Sequence, residues 1–175
     1  SRFMNENNEI PVEIIALVEE QTSMNPIVVL RDFKTEKVLP IWIGDAEARA
    51  IAVELNDMET LRPLTHELVL SSIEGMGGTI SRIVIDRVEG HTYYATIYVS
   101  VEGKEIKIDA RPSDSIAVAL AAKAEIFVRA DVMEKAGQDN PFPNMGASMQ
   151  GRGGPRKIEL SKEDIARIAN LLQRA

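Results

Sequence analysis

The stretch IDARPSDSIAVAL, residues 108–120, runs from alternating strand residues through Asp-Ala-Arg-Pro-Ser-Asp into small apolar residues of helical character. At an offset of 65 residues a related stretch, IWIGDAEARAIAVEL at 41–55, makes the same passage. AIAVEL (50–55) falls on SIAVAL (115–120), Ile41 and Ile43 fall on Ile106 and Ile108, and Ile15 falls on Ile80. A helix expected from Thr65 falls on another near Ala130. Matching order of strands and helices predicts an internally duplicated strand-strand-strand-helix unit, with both copies forming one compact mixed-sheet domain of the α+β class.

Working outward, alternating or continuous apolar runs predict strands at 12–19, 27–32, 37–44, 79–88, 92–101, 104–109 and 125–129. Pro40 inside the third marks an edge position or a bulge, because proline cannot donate to a ladder. The dipeptides Glu-Gly at 89–90 and 102–103 supply hairpin turns. Helices are expected at 45–55, where Ala48, Ile51, Ala52 and Leu55 make one stripe, and at 65–74, 113–122 and 131–136. Thr65 is the expected N-cap of its helix, which leaves His66 and Glu67 partly exposed in the first turn. Residues 1–9 are assigned to a tag and an unstructured N-terminus, since Ser1, Arg2 and Phe3 precede Met4. The domain itself is placed at 10–136. Residues 137–157, rich in Gly, Pro, Asn and Gln, read as a flexible linker, and 158–175 as an amphipathic helix whose Ile165, Ile168, Ala169 and Leu172 dock on the chain itself or on a partner.

Composition narrows the chemistry. With 45% hydrophobic and 27% charged residues the chain is ordinary for a globular protein, and with no cysteine it has no disulfide, thiolate nucleophile or thiolate-bound metal. The absence of a long apolar run or basic leader predicts a cytoplasmic protein without membrane attachment. The net charge of −7 is uneven: residues 1–151 hold 14 bases and 24 acids, a net of −10. Such a body repels phosphate, so binding to RNA or DNA requires a local base or a cation.

Two readings fit the Asp109, Arg111, Ser113, Asp114 group. Pro112 suits the first helical turn, and Ser113 or Asp114 can cap it. Equally, a helix start beside an Arg is an anion site, and Asp109 at a strand end can hold a metal or accept a proton. Asp45 and Glu47 open the matching helix of the first half. If the halves pack about a pseudo-twofold axis, the two helix starts converge in one cleft, where Asp45, Glu47 and Asp109 would hold Mg²⁺ or Mn²⁺. His66, one of two histidines, is the candidate for proton transfer, whereas His91 sits in a turn. Asp86 with Glu105-Ile-Lys107 imitates a nuclease metal motif, but ordinary strand alternation produces the same pattern.

Three segments together, LPIWIGDAEARAIAVEL (39–55), RPLTHELVLSSIEGMGGTISRIVI (62–85) and IDARPSDSIAVALAAKAEIFV (108–128), closely resemble the bifunctional nuclease domain family over roughly residues 10–135. The resemblance implies a compact duplicated α+β domain, a homo-oligomer with a dimer as the expected form, and cleavage of RNA and DNA. His66, Asp109, Arg111 and Asp114 lie in the matching motifs and are the expected catalytic group: Asp109 and Asp114 near the cation, Arg111 on phosphate, His66 moving the proton. The competing expectation is a non-catalytic ligand- or protein-binding regulatory module in which the motif acids serve as caps.

Overall fold

The structure, a computed structural model, describes residues 4–19 and 25–140. Strands β1 (Glu9–Glu19), β2 (Pro26–Asp32) and β3 (Val38–Trp42) form an antiparallel meander, followed by helix α1 (Asp45–Leu55). A second meander of β4 (Gly78–Glu89), β5 (Thr92–Val101) and β6 (Lys104–Ala110) is followed by α3 (Pro112–Ala122). Between α1 and β4 lies α2 (Thr65–Gly75), and the described chain closes with β7 (Glu125–Arg129) and α4 (Ala130–Ala136).

One mixed sheet results, ordered β3-β2-β1-β7-β4-β5-β6. The joint is β7, antiparallel to β1 and parallel to β4. The α+β class and the mixed sheet are as expected. The element order of the two halves differs at β7, which has no strand corresponding to it between α1 and α2. Pro40 lies on β3, an edge strand, where a missing N–H costs least.

Packing follows the sequence patterns. The apolar stretch of α3 puts Ile116, Ala117, Val118 and Ala119 in the core with Ile83, Ile85 and Ile97 of the sheet and Ile51 of α1. Its small residues allow the helix to lie close to the strands it crosses. The opposite sheet face is apolar around β2, β3 and β7, where the register sets Val29 against Pro40 and Phe127 against Val84, away from the core side chains Val28, Ile83 and Ile85, with both Val29 and Phe127 buried. It turns polar toward β5 and β6, where Thr96 faces Asp109 and Tyr98 faces Lys107.

Residues 4–8 precede the sheet as a turn in which the Asn5 carboxamide oxygen accepts from the N–H groups of Asn7 and Glu9, and β1 begins at Glu9. At the other end, the first residues of the expected linker are held: Gln138 exchanges backbone hydrogen bonds with Val38 at 2.8 and 2.9 Å. The remainder of that linker and the expected helix at 158–175 lie outside the described residues. Among those described, no helix is long and apolar enough to cross a membrane.

One ion pair reaches across the joint. The buried Glu9 carboxylate on β1 accepts from Arg82 Nε at 2.8 Å and Nη2 at 3.3 Å on β4, spanning the intervening β7. Arg82 also reaches Glu105 at 3.3 Å and lies over the Tyr98 ring, 3.8 Å from its centroid. Burial opposes the guanidinium charge, yet Glu9 and Glu105 together hold its pKa above the ordinary value. Removing one member leaves a buried charge without its partner, which is far more costly than replacing the pair. Arg82→Ala is therefore expected to lower stability in urea denaturation by about 3 kcal/mol or more, and the Glu9→Leu, Arg82→Met double variant to recover most of that loss.

Candidate functional site

A cleft of about 870 Å³ opens where α1, α2 and α3 meet the end of β6. Its walls are largely apolar, with Val53, Val69, Ile97, Ile108 and Val118 among them, and its polar groups come from the helix starts and the β6 end. Of the six residues nominated from sequence, Glu47, His66, Asp109, Arg111 and Asp114 border this cleft; Asp45 stands exposed in the first turn of α1 and does not.

Arg111 is the junction. It is the N-cap residue of α3, extended at φ −67°, with Pro112 fixing the first helical position. Its carbonyl is anchored from below by Ser115, whose N–H and hydroxyl donate to it at 3.0 and 2.9 Å. The guanidinium, 65% exposed, makes a two-point contact with Asp114 (Nε to Oδ2 2.8 Å, Nη2 to Oδ1 3.2 Å) and reaches Glu47 of α1 through Nη1 at 2.8 Å. The two helix starts thus converge, as the matching motifs suggest, and one arginine ties them. Neither Ser113 nor Asp114 caps the helix: Ser113 is buried, and no side chain accepts at the N-cap of α3. Asp114 turns to the arginine instead because a charge-assisted fork outcompetes a single bond to N–H.

Glu47 is held from two sides. Its carboxylate folds back over Gly44, where a Cβ would collide with Oε2. A hydrogen bond from its own backbone N–H, then the Arg111 contact, hold its pKa below the ordinary 4.5. Arg111 is correspondingly raised, first by Asp114 and then by Glu47.

His66 departs from expectation. The helix begins with Leu64, not Thr65, as its N-cap; the Leu64 carbonyl accepts from Leu68 N–H at 2.9 Å, and the Leu64 N–H donates to the Glu67 carboxylate at 3.2 Å. His66 faces inward, 6% exposed, with Nε2 2.6 Å from Glu54 Oε1 at the end of α1. Glu54 was not among the nominated residues. It reads as an ordinary polar position of α1 outside the apolar stripe, and only the packing of α1 beside α2 brings it to the histidine.

Asp109 is exposed and has no hydrogen-bond or ion-pair partner among the described residues. Its register partner is Thr96, whereas Ile108 pairs with Ile97, so strand alternation sets the Asp109 side chain on the face opposite those two isoleucines. Asp86 accepts from Thr96 at 2.5 Å, Glu105 pairs with Arg82, and Lys107 lies 5.7 Å from the Tyr98 centroid, so the nuclease-like spacing of these three resolves into separate contacts.

For a cation, Asp45, Glu47 and Asp109 do not meet. Among the described residues the one group with three ligand atoms mutually within 4.8 Å is Glu54, His66 and Glu67, with His66 Nε2 4.0 Å from Glu67 Oε1. One imidazole and two carboxylates suit Mn²⁺ better than Mg²⁺, which prefers oxygen alone.

The depressed carboxyl of Glu47 gives a direct check. The pairing with Arg111 contributes to stability at pH above about 4.5 and is lost as pH falls through the lowered folded value. Carboxyl-carbon NMR titration is expected to place Glu47 below 4.5, and Arg111→Ala to raise it part of the way, because the bond from its own N–H persists.

Comparison with known proteins gives a consistent identity. The profile described as bifunctional nuclease domain matches residues 28–141. An uncharacterized protein of Mycobacterium tuberculosis is 39% identical over 127 residues, which cover 72% of this chain and 75% of that protein. Bifunctional nuclease 2 of Oryza sativa subsp. japonica is 26% identical over 112 residues, 62% of this chain and 34% of the relative. Bifunctional nuclease 1 of Arabidopsis thaliana is 24% identical over 108 residues, 59% of this chain and 33% of the relative. The chain spans about a third of the length of these plant relatives, and it belongs to the bifunctional nuclease domain family.

Proposed function

We propose, for a chain of the bifunctional nuclease domain family, that the cleft between the helix starts binds single-stranded RNA or DNA and hydrolyses a phosphodiester in it. The observation that carries this reading is Arg111, exposed and held at the cleft mouth by carboxylates from both halves. A guanidinium binds phosphate by the same two-point geometry with which it now holds Asp114, so an incoming phosphate exchanges for a carboxylate already in place. The volume of about 870 Å³ lies within the range of small-ligand pockets, roughly 300 to 1,000 Å³. It accommodates an unstacked nucleotide rather than a duplex.

His66 supplies proton transfer in this reading. With Nε2–H donating to the Glu54 carboxylate, Nδ1 is the ring nitrogen left to take a proton from the attacking water. Glu47 and Asp114, released from Arg111 as it turns to phosphate, would hold Mg²⁺ or Mn²⁺, since such cations bind through one or two carboxylates together with substrate phosphate. The cation would neutralise charge developing on the phosphate oxygens. The Glu54, His66, Glu67 group supports a second location for it, in which His66 is a ligand and not a base.

Purified protein incubated with single-stranded RNA and DNA, with and without Mg²⁺ or Mn²⁺, tests the reading. Cation-dependent cleavage is expected, reduced about a hundredfold or more by His66→Ala and weakened mainly in KM by Arg111→Ala. Asp109→Asn is expected to have little effect, because strand alternation turns its side chain away from the face that carries Ile97 and Ile108. Loss of Mn²⁺ binding in Glu67→Gln, measured calorimetrically, would select the second cation location. Cleavage untouched by both His66→Ala and Arg111→Ala in folded protein overturns the site, and substrate binding without cleavage returns the cleft to a binding module.

A further inference from the structure

We infer that β6 is the interface of a two-fold homodimer, pairing antiparallel with β6 of a second copy and centred on Ile106. The inference does not depend on the nuclease reading.

Three observations carry it. First, β6 ends the sheet and is exposed along six of its seven residues. The two-residue turn at Glu102 and Gly103, both at positive φ (50° and 76°), makes Val101 and Lys104 the closing pair of the hairpin. Alternation from that pair turns the backbone groups of Ile106 and Ile108 toward β5 and those of Glu105, Lys107 and Asp109 outward. A row of outward N–H and C=O groups is a template for another strand.

Second, Ile106 and Ile108 are 46% and 37% exposed on this edge, on the side of the sheet that carries the helices. Pairing two copies sets Ile106 against Ile106 and covers an apolar surface that the described residues leave exposed.

Third, charge selects the register. With Lys107 opposite Lys107 the strands overlap fully, but Glu105 then faces Asp109 and every charged pair across the axis repels. Centring on Ile106 places Glu105 opposite Lys107 twice, and both pairs fall where the outward backbone groups meet. The same complementarity arises about Ile108, but there the overlap runs into Arg111 and Pro112, where the chain has left the strand for α3 and Pro112 has no N–H to offer. The register about Ile106 keeps the overlap on residues 104–108 and leaves the Arg111 junction clear.

Sedimentation equilibrium of the full chain over a concentration series is expected to show a monomer–dimer equilibrium. Lys107→Glu is expected to weaken it about tenfold by setting like charges opposite one another, and Lys107→Arg to retain it, with circular dichroism confirming that each variant is folded. The chain has no cysteine, so I106C gives a clean disulfide probe: it is expected to cross-link readily under mild oxidation and I108C poorly. A protein monomeric throughout overturns the proposal, as does a dimer indifferent to Lys107→Glu, or one that cross-links through I108C in preference to I106C.

Discussion

The parallel pairing of β7 with β4 is the constraint from which the rest of the molecule follows. Antiparallel neighbours can be joined by tight turns, as β4, β5 and β6 are, but a strand parallel to β4 can be reached from β6 only by crossing the sheet. α3 makes that crossing over β5 and β4. A helix laid across the middle of a sheet is buried over most of its surface, which accounts for the Ile-Ala-Val-Ala composition of its centre. The same crossing fixes the start of α3 at the edge of the sheet and its end near the centre. The Arg111 junction is consequently exposed while the helix behind it is rigidly packed.

β7 also joins the two meanders, and the joint is reinforced above the backbone. Only four residue pairs link β7 to each neighbour, and the Glu9–Arg82 pair spans all three strands. Such a pair adds little net stability over an apolar replacement. What it adds is registry, since the fork of Arg82 meets the Glu9 carboxylate only when β1 and β4 have a single offset about β7. The clefted face depends on that offset, because α1 belongs to the first meander and α3 to the second. A slip at the joint would separate Glu47 from Arg111.

Much of this was legible in the sequence, and the parts that were not have physical causes. Element identities came from periodicity, which is a local property: α1 at 45–55 and β7 at 125–129 begin and end where their patterns do. The convergence of the helix starts was legible only as a consequence of packing the related stretches 41–55 and 108–120 about a pseudo-twofold axis, and the Glu47–Arg111 pair that joins them was not, because it links residues 64 apart in sequence. Caps were misread. Thr65 has a capping hydroxyl, but Glu67 reaching back to Leu64 N–H starts the helix one residue earlier, and the packing of α2 beside α1 buries His66 against Glu54. Glu54 was invisible for a different reason. Nothing within the α1 sequence distinguishes a carboxylate facing water from one facing a histidine on the next helix; that depends on how α1 and α2 lie together.

Asp-Ala-Arg at 109–111 shows how far one residue can separate groups that look adjacent. Read as a string, Asp109 and Arg111 form a single acid–base cluster ahead of a helix. Asp109, however, is the last outward-paired residue of β6, and pairing with Thr96 commits its side chain to the sheet face away from Ile108. Arg111 has left the strand: as N-cap of α3 its direction is set by the helix, and it turns to Asp114 and across to Glu47. The arginine's partners are therefore 3 and 64 residues away in sequence rather than two. The convergence of the two helix starts rests on Arg111, because a cation at their meeting opposes the positive ends of the dipoles and needs the two carboxylates to hold it there.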